Sequence, residues 1–199
     1  MMMRRLAALL LLAAATPAFA TPPTALAPVT EQVRAEADGT SSLSHTVIVP
    51  ASPGAVWNAI TTVDGWKTWA VPVAWIKPDR PQVIETSYNP AARPGDPMNI
   101  ENEFTDRVPG QKLVFHTIKA PTGFAHFEAL QRVTQTIELV PEGNGTRVSL
   151  TGTGYANDES GKAVLAFFKG GNRVSLEMLR DRFANGPIDW TKKLKKPLK

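Results

Sequence analysis

The chain has 199 residues, no cysteine, 43% hydrophobic and 20% charged residues and a formal charge of +4, the size and balance of one globular domain that must hold itself together by its core, without disulfides. The positive charge sits at the ends: without Arg4, Arg5 and the five lysines of the last ten residues the total falls by seven, to −3. A nucleic-acid binder needs cations on its folded surface, placed to meet phosphates; this body carries no such excess, and no nucleic-acid partner is expected.

In chain order, Arg4-Arg5 precedes an apolar run, Leu6 to Ala15, and then Thr16-Pro17-Ala18-Phe19-Ala20, with small residues at the −3 and −1 positions of a cut after Ala20. This predicts an export signal, residues 1–20, too short for the roughly 20 apolar residues that span a bilayer, and a periplasmic or secreted mature chain. No cysteine follows the cut, so neither lipid attachment nor a disulfide is available there. Residues 21–42 carry Pro22, Pro23 and Pro28 and are expected to be a Pro-rich linker, with a short helix at Thr30 to Asp38 stopped by Gly39. His45-Thr46-Val47-Ile48-Val49 is a β-branched strand ended by Pro50. Ser52-Pro53 opens a helix with the cap residue first and proline second; Val56, Trp57 and Ile60 mark its buried side, and Asp64-Gly65 breaks it. Trp66, Trp69 and Trp75 crowd the next turn and strand start.

From Val73 to Tyr155 the pattern is strands and turns. Met98, Ile100, Asn102, Phe104 and Val108 alternate with Asn99, Glu101, Glu103, Thr105 and Arg107, and Pro109-Gly110 turns the chain into Lys112 to Lys119. If Val108 pairs with Gln111, Phe104 faces Phe115, Asn102 faces Thr117, and Glu103 faces His116 on the other side. In the last hairpin Val133, Gln135, Ile137 and Leu139, then Val148 and Leu150, make one mainly apolar face after the turn Glu142-Gly143-Asn144-Gly145. Asp158 to Ala184 predicts one long amphipathic helix, with Val164, Phe167, Phe168, Val174, Met178 and Leu179 on its apolar side, Asp158 or Asn157 as its cap and Asn185-Gly186-Pro187 as its stop. Gly171 lies on that apolar side, where a missing side chain leaves space. The order is α+β: a strand, two short helices, about six more strands, then the helix that an antiparallel sheet would cover.

Val49-Pro50-Ala51-Ser52-Pro53 followed by Val56-Trp57, Ile60-Thr61, Gly65 and Trp69 resembles the opening of the START-like, helix-grip superfamily known as SRPBCC. Gly145 to Thr151 before the terminal helix resembles the last hairpin of its polyketide cyclase/dehydrase and lipid transport group and of its heat-shock-ATPase-activator homologues. The resemblance implies a START-like domain at residues 43–186, a curved seven-stranded antiparallel sheet gripping the C-terminal helix, and a cavity between them for an apolar small molecule; residues 187–199 are left as a basic tail. Members range from lipid carriers to cyclases and chaperone cofactors, so the fold alone does not settle function.

Catalytic signatures are scarce. His45, His116 and His126 are scattered, so no metal is expected, and no cofactor is implied. No G-x-S-x-G elbow occurs. Thr151-Gly152-Thr153-Gly154 lacks the lysine of a phosphate cradle and reads as a strand passing close to the helix. Glu103 opposite His116 is the one candidate acid–base pair, catalytic only if it faces the cavity and solvated if Phe104 and Phe115 do. The expected ligand wall is Phe104, Phe115, Ile137, Leu150, Phe167, Phe168, Val174 and Met178, with room at Gly171 and with Asn102, Gln135 and Tyr88 as polar anchors. The expectation is an exported binding protein or carrier for a hydrophobic small molecule or lipid. The alternatives are a cyclase- or isomerase-like enzyme using the same cavity and a protein-interaction module resembling the chaperone-ATPase activators. The tail, Trp190 to Lys199, could also touch an anionic membrane.

Overall fold

The protein is described by a computed structural model covering residues 26–194. The expected export signal and Lys195, Lys196 and Lys199 of the tail lie outside the described residues. In chain order the elements are β1 (Thr30–Ala35), β2 (Ser41–Val49), α1 (Pro53–Thr61), α2 (Val63–Lys67), β3 (Val73–Lys77), β4 (Arg80–Ser87), β5 (Ile100–Val108), β6 (Lys112–Lys119), α3 (Phe127–Gln131), β7 (Thr134–Glu142), β8 (Gly145–Tyr155), α4 (Glu159–Asn185) and α5 (Trp190–Lys193). All eight strands form one antiparallel, curved and unclosed sheet in the order β1-β2-β8-β7-β6-β5-β4-β3. Its concave face holds α4, which packs chiefly against β2 and β8: an α+β helix-grip fold.

The local chemistry explains where the helices start and stop. Ser52 accepts from the Ala55 backbone N–H at 3.3 Å and Pro53 takes the first turn of α1. The carbonyls left over at its C-terminus meet the two tryptophans that follow: Trp69 Nε1 donates to Ala59 O at 2.9 Å and Trp66 Nε1 to Ile60 O at 2.7 Å. The aromatic crowding after α1 is therefore a helix cap that also fastens α2. Asp158 accepts from the Gly161 N–H at 2.7 Å to start α4, and Gly186, at φ 93°, ends it.

The β7–β8 hairpin has the expected face, with Ile137 opposite Leu150 and Leu139 opposite Val148. On β5 and β6 Phe104 faces Phe115, their rings 6.3 Å apart and nearly perpendicular, and Asn102 faces Thr117. Val108, however, pairs with Lys112 rather than Gln111, because the ladder is irregular between Phe104 and Asp106 and Thr105 is left over as a bulge.

Three expectations are corrected. The segment assigned to a linker with a short helix contains a strand, β1, making eight strands where seven were expected. Its residues pair with β2 from Thr30↔Thr46 to Ala35↔Ser41, and Gly39, at φ 83°, shapes the hairpin turn instead of stopping a helix. Local helical propensity yields here to a ladder of backbone hydrogen bonds. The second correction is the face of α4. Its buried residues are Gly161, Val164, Asn172, Leu176 and Leu179, so the seam is rotated by roughly a third of a turn from Phe167, Gly171 and Val174, at about 100° per residue. Third, Gly152 does not bring β8 close to the helix; the ring of Tyr155 folds back over it and occupies the place of a side chain.

Two apolar clusters make the core. One joins Val47, Val49, Ile60, Trp69, Phe104, Leu113, Ile137, Leu139, Leu150, Leu176 and Leu179; the other joins Leu43, Leu130, Val133, Tyr155 and Val164 near the start of α4. Buried polar side chains lie among them: His45 on β2, Gln135 on β7 and Asn172 on α4.

Candidate functional site

The position of α4 leaves part of the concave sheet uncovered. Lys169 and Arg173, on one flank of the helix, reach Glu31 on β1 at 3.2 and 2.9 Å. Because β1 lies beyond β2 at the edge of the sheet, the opposite flank, carrying Phe167, Gly171, Val174 and Met178, looks across β7 towards β6, β5 and β4. The floor on that side is Phe104, buried, and Phe115 and Thr117, half-buried. At the rim, Tyr88 and Met98 continue the inward rows of β4 and β5: the ladder pairs Ile84 with Asn102 and Thr86 with Ile100, so these two side chains stand across from one another one step further on. The loop between them is tied down from the convex side by Glu85, which accepts from Gly95 N at 2.6 Å and Asn99 Nδ2 at 2.7 Å. Phe124, from the loop after β6, meets Phe167 edge to face at 5.7 Å.

Exposure distinguishes this cleft from filled core. Tyr88 is 62% exposed, Phe167 59%, Met98 58% and Val174 51%; the first and third stand at the rim of the sheet and the other two on the open flank of α4. Isolated surface apolar residues need no explanation, but a concentration of them around a groove does. Tyr88 is also pushed above the ordinary tyrosine pKa by burial, and Arg107 is pushed below the ordinary arginine value by the same cause, although solvent reaches both.

Polar groups on the floor are few and specific. Thr117 Oγ1 donates to Asn102 Oδ1 at 2.8 Å, and Gln135 Nε2 donates to the Tyr155 hydroxyl at 3.3 Å. Burial drives the Tyr155 phenol far above its usual pKa, so it stays protonated. Among the described residues Gln135 Oε1, Asn172 Nδ2 and His45 Nδ1 are buried without a hydrogen-bond partner. On β2, His45 Nε2 lies 3.2 Å from Glu31, and burial lowers the His45 pKa despite that carboxylate.

The structure brings together most of the expected wall: Tyr88, Asn102, Phe104, Phe115, Gln135, Ile137, Leu150 and Met178 all lie on the concave side or its flank. Phe168 packs into the second cluster against Tyr155, rings 6.1 Å apart. Gly171 and Val174 are on the open flank and not in the seam; a side chain added at Gly171 would meet nothing within 4 Å. Glu103 and His116 lie 3.5 Å apart with 30% of each side chain exposed, on the convex face, away from the cleft. Trp190 donates its indole N–H to Lys67 O at 2.6 Å and so holds the C-terminal turn to the body. Tyr155, Asn172 and Arg107 were not anticipated. Tyr155 follows Gly152 by three residues with no sequence sign that its ring folds back, and Asn172 interrupts the apolar period of α4. A hollow of about 760 Å³ lies on the convex side between the β1–β2 hairpin and β8. Arg34, Glu36, Asp38, Ser42, Ser44 and Thr153 line it, a charged and hydroxyl-rich surface that does not suit an apolar molecule.

This geometry, a sheet gripping a C-terminal helix beside an apolar cleft with a few buried polar groups, defines a START-like domain of the SRPBCC superfamily. The chain belongs to the polyketide cyclase/dehydrase and lipid transport family, whose pattern matches residues 40–184. Among solved structures it is similar to the Aha1 dimer from Colwellia psychrerythraea, at 18% identity and a TM-score of 0.56 over 73% of this chain and 97% of that one. It is also similar to CalU16 from Micromonospora echinospora, at 17% identity and a TM-score of 0.53 over 83% and 90%. At these identities the likeness is one of fold. Comparison with curated proteins gave no match. β1 lies before the matched region and is an addition to it.

Proposed function

We propose that the protein is an exported binding protein or carrier for a hydrophobic small molecule or lipid, held between the open flank of α4 and the concave face of β4 to β6. The observation that carries this is the ring of uncovered apolar side chains, Tyr88, Met98, Phe167 and Val174, around the floor of Phe104 and Phe115. Covering apolar surface yields about 25 cal/mol per Å² before association costs, enough to hold a lipid-sized molecule with little polar recognition. The family's description, which joins cyclases and dehydrases with lipid transport, supports a ligand at this place. The groups facing the cleft are amides, hydroxyls, a protonated phenol and the Arg107 guanidinium, which orient a ligand better than they transfer protons. The signal-like pattern of residues 1–20 supports action outside the cytoplasm, and the lysines near the C-terminus would favour an anionic membrane as the place of exchange.

The test is native mass spectrometry of the protein recovered from outside the cytoplasm of its own cells, where its chain should begin at Thr21, followed by titration with fluorescent fatty acids and polycyclic aromatics. A bound apolar molecule is expected. Phe167→Ala should weaken binding about tenfold, or about 1.4 kcal/mol, with little loss of stability because that ring is largely exposed. A protein that is empty and binds no probe overturns the carrier. A ligand released chemically altered would make the protein an enzyme.

A further inference from the structure

Strict alternation along β5 would send Asp106 to the face of Phe104 and Arg107 to the opposite one. The bulge at Thr105 reverses this. After it, Asp106 pairs with Val114 and Arg107 with Leu113, and Leu113, fully buried in the core cluster with Phe104, belongs to the concave side. The guanidinium of Arg107 accordingly lies over the Phe104 ring, 4.5 Å from its centroid. Bulges commonly re-aim a side chain beside a functional site.

Among the described residues Arg107 is also a cation without a counter-ion. Asp106 is held on the other face by Lys112 at 2.7 Å, and Glu103 accepts from Gln82 at 3.1 Å and faces His116. Among the described residues no carboxylate comes within 4 Å of Arg107, while on α4 Lys169 and Arg173 are engaged with Glu31 and Arg180 with Asp181; Arg182 also lacks a carboxylate but is bonded to Thr68, at the other end of the helix from the Phe124–Phe167 contact. Burial is the sole cause of its lowered pKa, with no acid acting against it. A planar guanidinium stacked on an aromatic ring keeps its edge N–H groups free for a forked hydrogen bond to an anionic oxygen pair, while the ring beneath accepts the adjoining apolar chain.

We infer that Arg107 is the head-group site of this cleft, and that the ligand is an amphiphile with a single negative charge, a carboxylate or a phosphodiester, whose apolar body lies over Phe104 and Phe115. This rests on the carrier function proposed above and names the ligand's chemical class. No bond is made or broken; the charge-assisted contact selects among apolar molecules of the same length.

The experiment compares hexadecanoic acid with its neutral methyl ester and with lysophosphatidylglycerol, each displacing a neutral fluorescent probe from the full mature chain. The acid should bind at least about tenfold more tightly than the ester, the scale of a charge-assisted hydrogen-bond pair. In Arg107→Met that ratio should fall to about one, and in Arg107→Lys to an intermediate value; circular dichroism of each variant verifies the fold. Stronger binding of the phosphodiester than of the acid would identify the head group without changing the role of Arg107. Equal binding of acid and ester by the unaltered protein, or a ratio that survives Arg107→Met, overturns the inference and leaves the carrier standing. Failure of all three molecules and the probe overturns both.

Discussion

At Gln135 the amide nitrogen donates to Tyr155 while the carbonyl oxygen is buried with no partner. A buried polar atom left unpaired costs about 1–3 kcal/mol, whereas replacing both members of a pair by apolar groups can be neutral. Tyr155→Phe should therefore lose about 1 kcal/mol, and the double variant with Gln135→Leu should recover it or exceed the original stability, as read from urea midpoints. A double variant weaker than Tyr155→Phe alone would show that the amide is needed by the fold. If the amide persists because a ligand uses it, the double variant will be as stable and bind less well. The approximate place of this residue was legible, since Gln135 shares a strand face with Ile137 and Leu139. Its partner was not, because nothing local announces a tyrosine ring folded over Gly152.

Among the elements, β1 and α4 act together. Glu31 on β1 bonds to Arg173 and Lys169 of α4 and to His45 of β2, and the bond to Arg173 is the main reason its pKa falls to about 2 from an ordinary 4.5. A carboxylate with a lowered folded-state pKa stabilises the fold above pH 4.5 and loses that contribution as the pH falls towards 2. His45, whose lowered pKa comes from burial, adds a loss that begins as the pH falls below 6.5, where the unfolded chain takes up the proton more readily. Both contributions therefore make the protein acid-sensitive. Glu31→Gln should lower the melting temperature by about 2–4 °C at neutral pH, the effect of about 1 kcal/mol in a domain of this size, and should flatten the slope between pH 4.5 and 2. An unchanged slope would mean the pairing is inert. The bonds from Glu31 to α4 were not visible in the sequence around Thr30, because Arg173 lies 142 residues further along the chain. The length and caps of α4 were legible from Asp158 and Gly186. Its buried face was not, since Asn172 occupies the seam while Phe167 and Val174, apolar and exposed, imitate one.

For the whole molecule, the sheet, its order and the grip on α4 follow from hairpin turns and alternating faces that any strand reader can find, as at Ile137 and Leu150. The cleft depends on what the helix leaves uncovered, and that is set by its fastening to the β1 edge. One consequence of the bulge at Thr105 concerns the sign of the field inside the cleft. Asp106 and Arg107 are neighbours, and the irregularity determines which of them the interior meets; a regular ladder would have offered an anion. Exchanging them, as Asp106→Arg with Arg107→Asp, keeps composition and net charge, so the long-range electrostatics of the molecule barely change. The interior should nonetheless invert its preference, taking up a long-chain alkylammonium ion better than the fatty acid of equal length in the same displacement assay, whereas the unaltered protein does the reverse. Ligand charge in this fold would then be selected by the phase of a strand, and two adjacent residues would suffice to turn a carrier of acids into a carrier of amines.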